Sequence, residues 1–142
     1  MAQTYSIAEV LVHRAPMLVL DELLLATDEE AICAVTPTAN SPWAESGKME
    51  CLAVVEWMAQ AVGAYVGALR RRRGLPAQPG FFVESRKMSL YQEQVTFGRR
   101  YLVWAQPIWM QGASGRFRCR VTEPLAETIV AEGSILVHEP KK

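Results

Sequence analysis

The chain has 142 residues, half of them apolar, with 15 Lys and Arg against 15 Asp and Glu. That length suits one domain with a single sizeable core, here residues 1–142. The balanced charge excludes the basic excess of a general nucleic-acid binder and the acidic excess of a disordered chain. The three cysteines (Cys33, Cys51, Cys119) have no CxxC spacing, which fits reduced thiols and not a disulfide framework or a zinc site. Residues 1–17 lack the basic and apolar regions of a signal peptide, so a cytoplasmic location is expected.

In chain order, residues 6–12 predict a short helix, with Ser6 as its N-cap and Glu9 at capping-box spacing. Pro16 ends any helix there. Met17–Ala26 is an apolar run that predicts a first long strand. After the Asp28-Glu29-Glu30 turn, Ala31–Thr36 predicts a second strand, paired with the first as a hairpin. Residues 37–49 form a loop by composition, with two Pro and a Gly. A long helix is predicted from Glu50 to Arg73. Arg70 to Arg73 suit its C-terminal end electrostatically, and Gly74 and Pro76 close it.

Residues 75–80 are a connection. Phe81–Ser85 and Met88–Tyr91 predict one strand, kinked near Arg86. Tyr101–Trp109 predicts another, with Pro107 marking an edge or a bulge. Gln111–Gly115 is a hairpin turn signal. Arg116–Thr122 alternates cleanly, with Phe117, Cys119 and Val121 on one face and three arginines on the other. Residues 123–127 turn the chain into a last strand, Thr128–Val137, before the polar tail EPKK. Two strands, a long helix and three or four further strands imply an α+β layer arrangement: an antiparallel sheet wrapped around one long central helix.

The central stretch, CLAVVEWMAQAVGAYVGAL from Cys51 to Leu69, is 19 residues long. Only Glu56 and Gln60 break its apolar character, and at i and i+4 they share one helix face. Its length is near that of a transmembrane span. The mid-span acid disfavours insertion by roughly 3 kcal/mol, so a buried helix of a soluble domain is the preferred reading, with no membrane span. A carboxylate on such a helix costs free energy unless it is paired, protonated or used. Glu56 is therefore the first candidate for chemistry. Its structural alternative is a buried acid satisfied by backbone donors, or by an arginine across a dimer interface.

HRAPMLVLDELL (residues 13–24) resembles the HRYPFLLVDRVL segment of the hotdog-fold 3-hydroxyacyl-acyl-carrier-protein dehydratases. VVEWMAQAVGAYVG (residues 54–67) resembles their central-helix motif, ILEAMAQAGG. The EWMAQA helix, followed by Gly80-Phe81-Phe82-Val83-Glu84-Ser85-Arg86, is also similar to the dehydratase-like proteins of aryl-polyene gene clusters. The resemblance implies a hotdog fold and dehydration of a 3-hydroxyacyl thioester, carried on acyl carrier protein or coenzyme A, without metal or redox cofactor. It implies Glu56 as one proton-transfer group and the N–H groups near Cys51 and Leu52 as donors to the thioester carbonyl. The family's other group is a loop histidine 14 residues before the helix acid. Here that position is Pro42, and the loop contains no histidine. His13 is the substitute candidate, against its reading as part of a structural segment.

Gln60 is a candidate for holding Glu56 or a loop carbonyl, or for touching substrate. Phe81 and Phe82, with Trp43 and Trp57, are core residues or the lining of an acyl tunnel. Arg70, Arg71, Arg72 and Arg73 are a solvated helix end or a docking patch for an acidic carrier protein, which Arg86 and Lys87 would extend. His138 is expected at the surface. Three functions follow: a dehydratase, a thioesterase in which the helix carboxylate activates water, and a non-catalytic subunit that completes an active dehydratase. A homodimer is expected, or a heterodimer with another hotdog protein bearing the missing histidine.

Overall fold

The strand alternation sets the inner face of a sheet. In the computed structural model, residues 5–14, 17–79 and 81–138 are described. Phe117, Cys119 and Val121 are fully buried on β7 (Ser114–Glu123), and their arginine neighbours point outward. The other strands are β1 (Glu22–Ala26), β2 (Ala31–Val35), β4 (Phe81–Leu90), β6 (Tyr101–Gln111) and β8 (Thr128–His138). They form one sheet in the order β1-β2-β6-β7-β8-β4, with every pairing antiparallel. Two short strands that the sequence reading did not anticipate, β3 (Met49–Glu50) and β5 (Gln94–Val95), pair beside the sheet. At two residues each, they carry no periodicity to read.

The predicted central helix is present as a 3-10 turn, Cys51–Ala53, followed by α2 (Val54–Arg72). By length and composition Cys51–Arg72 is long and apolar enough to cross a membrane. Here it lies across the inner face of the sheet, with Val54, Trp57, Met58, Ala61, Val62 and Tyr65 buried. Trp57 packs on Tyr101 with ring centroids 5.6 Å apart, and Tyr65 meets Phe117 edge-on at 5.4 Å. Truncating an aromatic so enclosed costs about 3–5 kcal/mol.

The N-terminal helix α1 is shorter than predicted, Ile7–Val10, with the Ser6 N–H donating to Glu9 Oε1 at 2.9 Å. The strand expected over Met17–Ala26 begins only at Glu22. Its first residues have other hydrogen-bond partners: Val19 N–H donates to Gln60 Oε1 at 3.0 Å, and Met17 O accepts from Gln60 Nε2 at 2.8 Å. A side chain of α2 thus takes the place of a strand neighbour. The kink expected near Arg86 is a register shift against β8 between Arg86 and Ser89, with Lys87 at φ 53°. Pro107 sits at a second register shift, against β7. The break expected at Pro16, Gly80 of the Gly-Phe-Phe segment and the EPKK tail lie outside the described residues.

Candidate active site

The short β3–β5 pair anchors the start of the central helix, and a cavity of about 790 Å³ opens beside it. Its apolar wall is Trp43, Leu52, Ala53 and Val55, and its polar wall includes Glu45, Lys48, Glu50 and Glu56. Leu52 and Trp43 are large apolar side chains left 64% and 50% exposed. Trp43 also has φ 67°, rare for a bulky side chain. Its loop is closed by reciprocal backbone bonds between Glu45 and Lys48, of 2.8 and 3.1 Å. A strained residue held by a tight loop on a cavity wall is typical of functional sites.

Among the described residues, Glu56 is held through one oxygen. Its Oε2 accepts from Gln60 Nε2 at 2.9 Å. Gln60 itself is 1% exposed and is not among the residues lining the cavity. Both of its amide protons are used, one on Glu56 and one on Met17 O, and its oxygen accepts from Val19. Of the roles open to Gln60, the holding one is visible in these bonds to Glu56, Met17 and Val19.

The two expected carbonyl donors differ. The Cys51 N–H donates to Glu93 O at 2.8 Å, so it is taken, which corrects that expectation. The Cys51 side chain is buried, and burial raises its thiol pKa against the smaller lowering by a backbone bond with Gln92. Leu52 lines the cavity, and its N–H belongs to the first turn, where helices lack internal acceptors.

The structure does not join His13 to Glu56: among the described residues no hydrogen bond links them. His13 Nδ1 is buried with no partner among those residues. Its loop is tied by the Arg14 guanidinium to Leu11 O and His13 O, at 2.8 and 2.7 Å. Phe81 and Phe82 begin the edge strand β4 opposite His138 and Val137; their side chains lie outside the described residues. His138 is exposed, as expected, with Nδ1 2.7 Å from Ser114 Oγ.

The arginine run is more occupied than a free patch. Arg70 Nε donates to Pro76 O at 2.7 Å, Arg71 Nε donates to Glu9 O at 2.6 Å, and Arg72 pairs with Asp28 at 3.1 Å. Glu45, Lys48 and Glu50 escaped the sequence reading as site residues. The signal available was the charge density of ESGKME, residues 45–50, directly before the helix. No group of three or more His, Cys, Asp or Glu able to hold a metal ion occurs among the described residues.

A family model for the ApeP-like proteins, described as ApeP dehydratase, matches residues 5–142. The chain belongs to the ApeP-like dehydratase family. The family's reaction makes it a hydro-lyase, as the motifs implied. Among solved structures, the dehydratase heterocomplex ApeI:P from Xenorhabdus doucetiae superposes with a TM-score of 0.91 at 22% identity, covering 99% of this chain and 94% of that one. A hypothetical thioesterase from Streptococcus pneumoniae, solved with coenzyme A, gives 0.65 at 11% identity, covering 85% and 86%. Zebrafish thioesterase superfamily member 2 gives 0.64 at 14% identity, covering 84% and 80%. At these identities the likenesses establish the fold, which is the expected hotdog. None of the curated proteins matches the sequence.

Proposed function

We propose that this ApeP-like dehydratase acts on 3-hydroxyacyl thioesters carried on acyl carrier protein or coenzyme A, in fatty acid or aryl-polyene-type lipid synthesis. Glu56 is one of its two proton-transfer groups. One group takes the C2 proton as the C2–C3 double bond forms. The other gives a proton to the C3 hydroxyl, which leaves as water. The single observation behind this reading is the Glu56 carboxylate on the cavity wall, fixed through one oxygen by a buried amide. The Leu52 N–H is the donor available to the thioester carbonyl as it becomes enolate-like.

The reading makes the protein one half of a heteromer. The cavity has no histidine among its lining residues, and a second hotdog subunit supplies the complementary group across the cavity mouth, with His13 the substitute within this chain. The ApeI:P structure, a dehydratase heterocomplex, supports this. The protein is read as cytoplasmic, as a single domain over residues 1–142, and as working without metal or redox cofactor. Arg73, the member of the run whose side chain bonds to none of the described residues, is the one left to meet an acidic carrier protein, while Phe81 and Phe82 line the acyl path.

The test is enoyl formation from a short 3-hydroxyacyl carrier protein, by the purified protein alone and with the subunit that co-purifies from its source cell. Turnover only with the added subunit is the expected result. Full turnover alone would overturn the heteromeric reading and move attention to His13. Thioester hydrolysis is the second reading, favoured by a carboxylate in a cavity without histidine, since a lone carboxylate suffices to activate water. Release of free thiol without enoyl product would establish it.

A further inference from the structure

Glu56, Gln60, Gly63 and Gly67 follow one another at spacings of four, three and four residues, so they line one face of α2. The chain entering from α1 runs along that face. A Cβ on Gly67 would stand 1.9 Å from Val10 O and 2.7 Å from Val10 C, so the backbone reaches its seat there only because Gly67 has no side chain. A Cβ on Gly63 would meet only the tip of Leu11, Cδ2 at 2.9 Å, which can swing aside. Arg71 Nε, bonded to Glu9 O at 2.6 Å, ties the start of this arm to the end of α2. Further on, Met17 and Val19 bond both ends of the Gln60 amide, at 2.8 and 3.0 Å.

That same amide holds Glu56 Oε2 with its remaining proton. A planar amide cannot turn to follow a displaced arm and still keep the carboxylate in place. Seat, amide and carboxylate are therefore mechanically one unit. It extends over eleven residue steps from Gly67 to Glu56, about 16 Å of helix.

We infer that the arm formed by residues 10–14 and 17–19 is a positioning element of the dehydration: its seat at Gly67 sets the Gln60 amide, and the amide sets the direction of the Glu56 carboxylate. This rests on Glu56 being a proton-transfer group. It adds that groups remote from the cavity govern kcat while leaving substrate binding alone.

The experiment compares Gly67→Ala, Gly63→Ala, Gln60→Ala, the Gly67→Ala/Gln60→Ala double variant and Glu56→Gln, each purified with its co-purifying subunit. Gly67→Ala should lower kcat by about tenfold or more with KM changed less than twofold, since small misplacements of a reacting group cost rate steeply. Gly63→Ala should stay within about twofold of wild type, because only a flexible side-chain tip must move. The double variant should be no slower than Gln60→Ala, because both changes cut one connection. Hydrogen exchange at the Val19 N–H, bonded to Gln60, should quicken in Gly67→Ala. Wild-type kcat in Gly67→Ala despite faster exchange at Val19, or losses that multiply in the double variant, would overturn the inference. Should Gly67→Ala not fold, Arg71→Ala loosens the arm from its other end: a lower kcat supports positioning, and a salt-dependent rise in KM at full kcat contradicts it. Glu56→Gln separates the two levels. If it keeps activity, the reading of Glu56 fails; if it is inactive while Gly67→Ala keeps full kcat, only the arm inference fails.

Discussion

At the N-terminal end of α2, Glu56 and its neighbours Glu45, Lys48 and Glu50 face a cavity. At the C-terminal end, Arg70, Arg71 and Arg72 face the chain itself, bonded to the following loop, to α1 and to the β1–β2 turn. Both ends are charge-rich, but one leaves its groups available and the other uses them to fasten neighbouring segments. The reason lies in what surrounds each end. Helix N-termini present N–H groups without internal acceptors, and here a tight loop stands off from them and leaves space. At the C-terminus, the carbonyls of Arg70 and Arg71 accept from the backbone N–H groups of Arg73, Gly74 and Leu75, and the long guanidinium side chains reach Pro76 O, Glu9 O and the Asp28 carboxylate. A run of like charges is thus poor evidence for a docking patch until its partners are known.

The contrast can be broken most forcefully at Gln60. Gln60→Ala leaves Met17 O, the Val19 N–H and one Glu56 oxygen without their partner. It should cost about 3 kcal/mol in urea unfolding and about 100-fold in kcat. A loss of stability without loss of rate would reduce the open end to structure alone.

Alkaline pH sharpens the contrast from the sheet side. Burial pushes the Cys33 thiol from 9.0 up to about 12 and raises Cys119 further. A raised folded-state value means the unfolded chain gives up its proton first. Stability should therefore hold below about pH 9 and fall as pH rises from there through 12. Between pH 8 and 10 each thiol should remove about 1.4 kcal/mol, and Cys33→Ala should lose correspondingly less than wild type over that interval. Cys51 stands at a helix N-terminus, where thiols are often acidic, yet burial raises it too. It should resist alkylation in the native protein, as a buried thiol does; ready alkylation would contradict its burial.

The smallest effects belong to the fastened end. Arg72→Ala removes a pair whose Asp28 partner is 87% exposed, so less than about 1 kcal/mol is expected. Arg73→Glu should leave stability unchanged and raise KM for a carrier-protein substrate a few-fold at low salt, an effect that salt erases. An unchanged KM would remove the arginine run from carrier recognition.

Much of this was legible in the sequence because periodicity carries it. The alternation over Arg116–Thr122 gave β7 its faces, and the unbroken apolar stretch around Glu56 marked α2. The pair Glu56 and Gln60 was readable from their i, i+4 spacing, down to the hydrogen bond between them. What stayed hidden depends on partners distant in the chain. Leu18 to Leu20 look like a strand, yet the Leu18 N–H bonds back to Arg14 O and the Val19 N–H bonds the Gln60 side chain, some 40 residues away. The occupied Cys51 N–H depends on Glu93, and the Arg71 bond on Glu9. Glu45, Lys48 and Glu50 read as ordinary loop polarity until the loop's positive-φ turns at Trp43, Ser46 and Gly47 wrap them around the cavity.

The most direct test of the account is the rate of enoyl-thioester formation at saturating substrate by wild type and Glu56→Gln, each purified with its co-purifying subunit and checked for native circular dichroism. Gln keeps the shape of the side chain and its bond to Gln60 but cannot exchange a proton in the reaction, so a loss of at least about 100-fold with little change in KM is predicted. A rate within twofold of wild type would mean that Glu56 is a held structural acid and that the chemistry lies elsewhere.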